Sequence, residues 1–281
     1  MEQQEQRHRE RGAFVTGLGR GVAGALLFAL PMLMTMEMWY LGFYIGRDRL
    51  LLLMLLNIPL LILLAHRIGF EKTFTWREAV RDATIAYAIG LLTSAIVLVV
   101  LGLIRQDMPA SEIVGKVALQ SVPASIGAML GRSQLGSGSA DDGDGTRERR
   151  QARYGVELLM MAAGALFLSL NVAPTEEMIV VAYKMTPWHA VAIIVLSIAL
   201  MHGFVYAVSF TGGHELSPRT PWWHALIRFT LPGYVVALLI SLYALWTFER
   251  LDDTSAVEIL LSVVVLAFPA SLGAAAARLI L

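Results

Sequence analysis

Long apolar runs alternate with short polar segments along the whole chain. A membrane helix needs about 20 mostly apolar residues. Eight runs have that length: 21–45, 50–69, 83–104, 111–131, 156–183, 188–210, 225–247 and 256–280. The pattern predicts an all-α polytopic membrane bundle of eight transmembrane helices. The fourth run, "SEIVGKVALQSVPASIGAMLG", is the least apolar, because it holds Lys116 and Gln120. Its counterpart near the C-terminus is plainly apolar, so it counts as a span.

Lys and Arg positions test the count, because cytoplasmic loops carry the excess of positive charge. With the N-terminus inside and strict alternation, the inner segments hold 16 Lys and Arg and the outer ones 5, with Lys116 inside a span. A seven-span chain would misplace half of these charges. Eight helices with both termini cytoplasmic follow. The opening "MEQQEQRHRERG" is too polar for a secretory signal, so residues 1–20 read as a cytoplasmic tail. The stretch 132–155 is rich in Gly, Ser and Asp, then basic. It reads as a flexible cytoplasmic linker between two membrane halves, 21–131 and 156–281.

The halves are copies of each other. At an offset of 140 residues, Gly24-Ala25-Leu26 meets Gly164-Ala165-Leu166, Thr35 meets Thr175, Glu37 meets Glu177 and Met38 meets Met178. Trp76 and Arg81 meet Trp223 and Arg228 at 147. "PASIGAMLGR" at 123–132 meets "PASLGAAAAR" at 269–278 at 146. An insertion between the second and third helices of the later half accounts for the change. Self-similarity of this kind marks a repeat. Four helices per half is an even number, so the expectation is two parallel four-helix repeats about an axis along the membrane normal. The small residues Ala124, Ala128, Gly127, Gly131, Ala270 and Ala274 mark close helix contact. That contact joins either the two halves or a homodimer.

Composition agrees with this picture. The chain is 57% hydrophobic and 16% charged, with a mean hydropathy of +0.64, against about a quarter charged in soluble domains. There is no cysteine, which excludes disulfides, thiolate metal sites and thiol catalysis. The expected partner is the lipid bilayer. No nucleic acid, cofactor or structural metal is expected, and the formal net charge of zero identifies no partner.

Against that apolar background the acids inside spans stand out. Glu37 falls about eight residues before the outer end of its run, roughly 12 Å deep at ~1.5 Å per residue. Glu177 falls at the matching depth, with Glu176 beside it. A charged carboxylate at the centre of a span costs about 2.5–3.5 kcal/mol. Such acids face the bundle interior, are protonated or bind a cation. As repeat mates, Glu37 and Glu177 are expected to face one interior site, sharing a proton or holding a small cation. Thr35, Thr175, Glu176 and Asn171 are the neighbouring oxygen donors. Pro174 leaves two readings of the fifth helix open, a kink or a break with Thr175 as cap. Lys116 and His202 are the candidate modulators. Lys116 pairs with the glutamates as a polar lock, gates a path beside them, or snorkels outward. His202 is either an interhelical hydrogen bond or a lower proton step.

These residues support three functions. The leading one is a channel or secondary transporter for protons or a small cation. The second is a non-transporting structural or signalling membrane protein held by a Glu–Lys lock. The third is an intramembrane hydrolase. Glu176-Glu177 resembles the Glu-Glu-x-x-x-Arg motif of membrane proteases that process prenylated termini, but Val181 stands where the Arg belongs. No HExxH, GxSxG or Walker pattern is present, so no catalytic residue is assigned. Over most of its length the chain resembles a bacterial family of multi-pass integral membrane proteins of unknown function. The resemblance rests on "MEMWYLGFYIGRDRL" and "NVAPTEEMIVVAYKMTPWHA". It implies a bacterial cell (inner) membrane and supplies no activity.

Overall fold

The computed structural model describes residues 2–68, 75–134, 147–207, 223 and 226–280. All regular structure among them is helical. The chain forms two compact units, Met1–Ser139 and Ala140–Leu281. The first holds α1 (Glu2–Leu33), α2 (Met36–Tyr44), α3 (Arg47–Ile68), α4 (Trp76–Val100) and α5 (Ala110–Gln134). The second holds α6 (Arg147–Val172), α7 (Glu176–Lys184), α8 (Pro187–Ala207), a π-helical turn at Leu226–Thr230, α9 (Leu231–Thr247) and α10 (Ala256–Ile280). α6 begins inside the stretch expected to be linker.

Eight helices are long and apolar enough to cross a membrane, four in each unit. Two runs expected as single helices are divided. The first run, expected as one helix over 21–45, stops at Leu33 and restarts at Met36. The fifth, 156–183, stops at Val172 and restarts at Glu176. The apolar crossings are Val15–Leu33 and Tyr154–Val172, about 28 Å each at 1.5 Å per residue. α2 and α7 are separate nine-residue pieces.

In the first unit α5 is the hub, with α1, α2, α3 and α4 all packed on it. Its crossing is 83% buried, far above any other helix. That explains why it is the least apolar run yet still a span. Its polar side chains meet protein, not lipid. In the second unit α10 has the same place, contacted by α6, α7, α8 and α9.

Glycines set the closeness of these contacts. A methyl group at Gly24 would strike the Gly127 carbonyl oxygen and sit 2.7 Å from the Gly131 Cα. At Gly164 it would strike the Gly273 carbonyl oxygen. α2 docks the same way, with Gly42 on the backbone of Gly115 and Lys116. The small-residue faces of "PASIGAMLGR" and "PASLGAAAAR" are therefore used inside each unit, α5 on α1 and α10 on α6. Dispersion between closely approached backbones is what holds membrane helices together, since lipid is as apolar as a leucine side chain.

Local signals set the helix starts. Thr75 and Glu78 form a reciprocal capping box at the start of α4. Ser255 and Glu258 do the same for α10, with Ser255 N–H donating to Glu258 Oε2 at 2.9 Å.

Candidate functional site

The Thr-x-Glu motifs stand at the two helix breaks. α1 ends at Leu33, Thr35 is extended, and α2 begins with Glu37 in its first turn. α6 ends at Val172, Thr175 is extended, and α7 begins with Glu176 and Glu177. The open choice at Pro174 resolves to a break. A carboxylate in the first turn of a helix lies at the positive end of its dipole, a favourable position.

A break frees backbone carbonyls, and each unit ties its own. Thr35 Oγ1 turns back and donates to Pro31 O at 2.7 Å. Gln120 Nε2 donates to Met32 O at 3.2 Å, and Trp39 Nε1 to Leu33 O at 2.8 Å. In the second unit Thr175 Oγ1 donates to Val172 O at 2.8 Å and Asn171 Nδ2 to Phe167 O at 2.7 Å. The Arg250 guanidinium donates to Pro174 O. Neither threonine makes a side-chain cap bond to its following helix. The expected side-chain cap at Thr175 is thus absent, and its hydroxyl turns back to Val172 O.

The carboxylates contrast with these tied carbonyls. Glu37 is half-buried, and Glu176 and Glu177 are exposed. Among the described residues no ion pair engages any of the three. Aromatic side chains flank them: Tyr40, Phe43, Tyr44, Tyr183 and Trp188 are all exposed. Such rings gather at the membrane–water boundary, which puts the short helices closer to the interface than continuous spans would have put them.

Lys116 does not pair with Glu37. It is buried, and its ammonium lies 2.7 Å from Glu112 and 3.2 Å from Leu103 O. Glu112 is one helical turn earlier on the same helix, so reaching it requires no movement of α2. The lysine's acid is Glu112, on the same helix, so the pair does not tie α5 to another helix as the expected lock would. His202 Nδ1 lies 3.1 Å from Thr230 Oγ1, in the π-helical turn. That is the interhelical hydrogen bond expected as one of its two roles. Among the described residues no three His, Asp or Glu side chains come together in a way that could hold a metal ion.

The sequence reading missed four contributors. Glu112 carries the i, i+4 signal to Lys116. Gln120 acts through a contact 88 residues away, and Trp39 through one six residues back, outside the helical i, i+4 spacing. Arg250 sits 76 residues from the carbonyl it ties. Neither the curated proteins nor the solved structures contain a match to the chain. Eight apolar helices, the paired breaks and the near absence of charge from the crossings fit what the family comparison returns over residues 17–281: the chain belongs to the family described as "Putative integral membrane protein (DUF2391)".

Proposed function

We propose that the protein moves protons or a small cation across the bilayer, with Glu37 and Glu177 as the exchanging carboxylates. One observation carries the reading. At both breaks the protein supplies donors to the freed carbonyls and leaves the adjacent carboxylates without a counter-ion among the described residues. An acid near the end of a membrane crossing that has no fixed counter-ion is left open to a mobile proton or cation. Thr35 and Thr175 donate their protons to backbone, which leaves each oxygen able to accept, and Asn171 keeps its carboxamide oxygen. Glu176 is a second acid at the later break. The charge split supports a topology with both termini on the cytoplasmic side of a bacterial cell membrane.

The test is reconstitution in liposomes with imposed pH and cation gradients. Wild type is expected to conduct, and Glu37→Gln and Glu177→Gln each to lose flux while remaining folded. Conduction that survives both substitutions would rule the carboxylates out. A second reading is favoured by the buried Lys116–Glu112 pair: a structural or signalling membrane protein in which the polar groups only secure the helices. It predicts no flux for any ion, with wild type and variants alike.

A further inference from the structure

We propose that the interior of the first unit holds internal water and carries protons along α5. The path runs between the Glu112–Lys116 pair at one end and Asp82 at the other. The second unit has no such path. This rests on the transport reading only for its flux arm.

The buried polar residues differ in kind between the units. In the first they include a carboxylate, an ammonium and two carboxamides: Asp82, Lys116, Asn57 and Gln120, none more than 7% exposed. In the second, every buried polar residue among those described is a serine or threonine. The repeat offsets show what was exchanged. Ser262 stands at the place of Lys116, Leu266 at that of Gln120, Ser197 at that of Asn57 and Phe229 at that of Asp82. The second unit has its own buried polar atoms without a partner, Ser241 Oγ, Asn171 Oδ1 and Arg250 Nε among them. Ser241 is neutral, Asn171 and Arg250 belong to the break before α7, and no ionisable side chain stands at the equivalents of Lys116 and Asp82.

The two carboxamides need a donor from outside the protein. Asn57 Nδ2 donates to Ser125 Oγ at 2.8 Å, and Ser125 already gives its proton to Val122 O. Gln120 Nε2 donates to the Met32 carbonyl. The Gln120 nitrogen faces a carbonyl, so that group cannot be turned round; the orientation of Asn57 follows from the Ser125 hydroxyl giving its proton to Val122 O. The Asn57 Oδ1 and Gln120 Oε1 oxygens are left buried with no partner. A buried carboxamide oxygen without a donor is costly, and internal water is the usual remedy. A bare metal ion fits less well, because the Lys116 ammonium stands one turn from Gln120 and repels it. Water passes a proton by relay without lodging a fixed charge there.

Helix geometry spaces these groups across the unit. From Glu112 to Ser125 is 13 residues, about 20 Å along α5. Gly90 of α4 lies on Ser121 and Ser125, and Asp82 is eight residues earlier on α4, about 12 Å further on. The series thus covers roughly the 30 Å of a hydrocarbon core. Gln120 faces α1 and Ser125 faces α3, and Ser121 lies on the face of α5 between them.

Two measurements on the full chain in liposomes decide it. The first is millisecond X-ray radiolysis in 18O water, which labels side chains beside bound water whether or not the protein transports. Met32, Met161 and Met201 are all fully buried. The expected result is 18O at Met32 and none at Met161 or Met201, with the Met32 label lost in Gln120→Leu. An unlabelled Met32, or equal label at all three, overturns the proposal. The second is proton flux read by a pH dye inside the vesicles. Gln120→Leu and Asn57→Leu should lower it at least tenfold, and Ser197→Ala should not. If either leucine variant fails to fold, Asp82→Asn serves in its place. Flux unchanged by these variants but lost in Glu37→Gln overturns the α5 path and leaves the carboxylate reading standing. The reverse outcome does the opposite. Wild-type protein that conducts another cation but no protons also overturns the path.

Discussion

The Lys116–Glu112 pair allows a sharp test of the first unit's packing. The lysine side chain is 7% exposed and the glutamate 16%, with 2.7 Å between the charged atoms. Glu112→Gln keeps the shape and removes the counter-ion. Breaking a buried pair from one side costs about 3–5 kcal/mol, because a charge is left uncompensated. Two features reduce the figure here. The ammonium keeps Leu103 O at 3.2 Å, and the glutamine oxygen still accepts a hydrogen bond. The expected loss is therefore roughly 2–3 kcal/mol.

Thermal unfolding of the purified protein in detergent reads this directly. For a chain of this size each 1 kcal/mol shifts the midpoint by about 2–4 °C, so a drop of roughly 4–12 °C is expected. Lys116→Met in the Glu112→Gln background removes the stranded charge and should recover most of the loss, since an apolar replacement of a buried pair is often neutral. Glu37→Gln should leave the midpoint within about 2 °C of wild type. Two results would refute the reasoning. If Glu112→Gln is neutral, the ammonium reaches water. If Glu37→Gln destabilises more than Glu112→Gln, the ammonium belongs to the acid on α2.

Three further outcomes follow from the packing and the breaks. Gly24→Ala and Gly164→Ala place a methyl against backbone that cannot move aside; each should lower stability by about 1–3 kcal/mol in denaturant titration. Gly203→Ala, where nothing lies within 4 Å, should be neutral or stabilise by up to ~1 kcal/mol on helix propensity alone. Arg250→Ala releases Pro174 O, and hydrogen exchange should quicken at residues 173–178 with residues 34–39 unchanged; no change at either segment would show that the guanidinium does not hold the break.

Much of the architecture is legible in the sequence because its two halves can be set against each other. The helix bounds fall where the offsets place them. α2 and α7 are both nine residues and begin 140 apart, at Met36 and Glu176. α3 and α8 also begin 140 apart. α4 and α9 end 147 apart, at Val100 and Thr247. α5 and α10 begin 146 apart, at Ala110 and Ala256. The change from 147 to 146 is one residue lost from the last loop of the later unit. These bounds rest on hydrophobic length and capping residues, which are local properties.

The breaks are harder to read because what stabilises them is distant. Nothing between Leu33 and Met36 is a proline or glycine, so local propensity favours a helix running through. At the opening the Met32 carbonyl accepts from Thr35 N–H and also from Gln120, 88 residues away, while Trp39 takes that of Leu33. The later break has a proline at hand, yet its carbonyl is taken from 76 residues away by Arg250. Lys116 fails to be read for the opposite reason. Its partner is local, at i−4, while equal depth in the membrane points to Glu37. A flexible four-carbon stem satisfies the nearest acid first. The hub explains both cases. A helix surrounded by protein is free to carry Lys116, Gln120 and Ser125, which lipid-facing helices must exclude. Its polar residues can then hold open a neighbour whose own sequence has no reason to break.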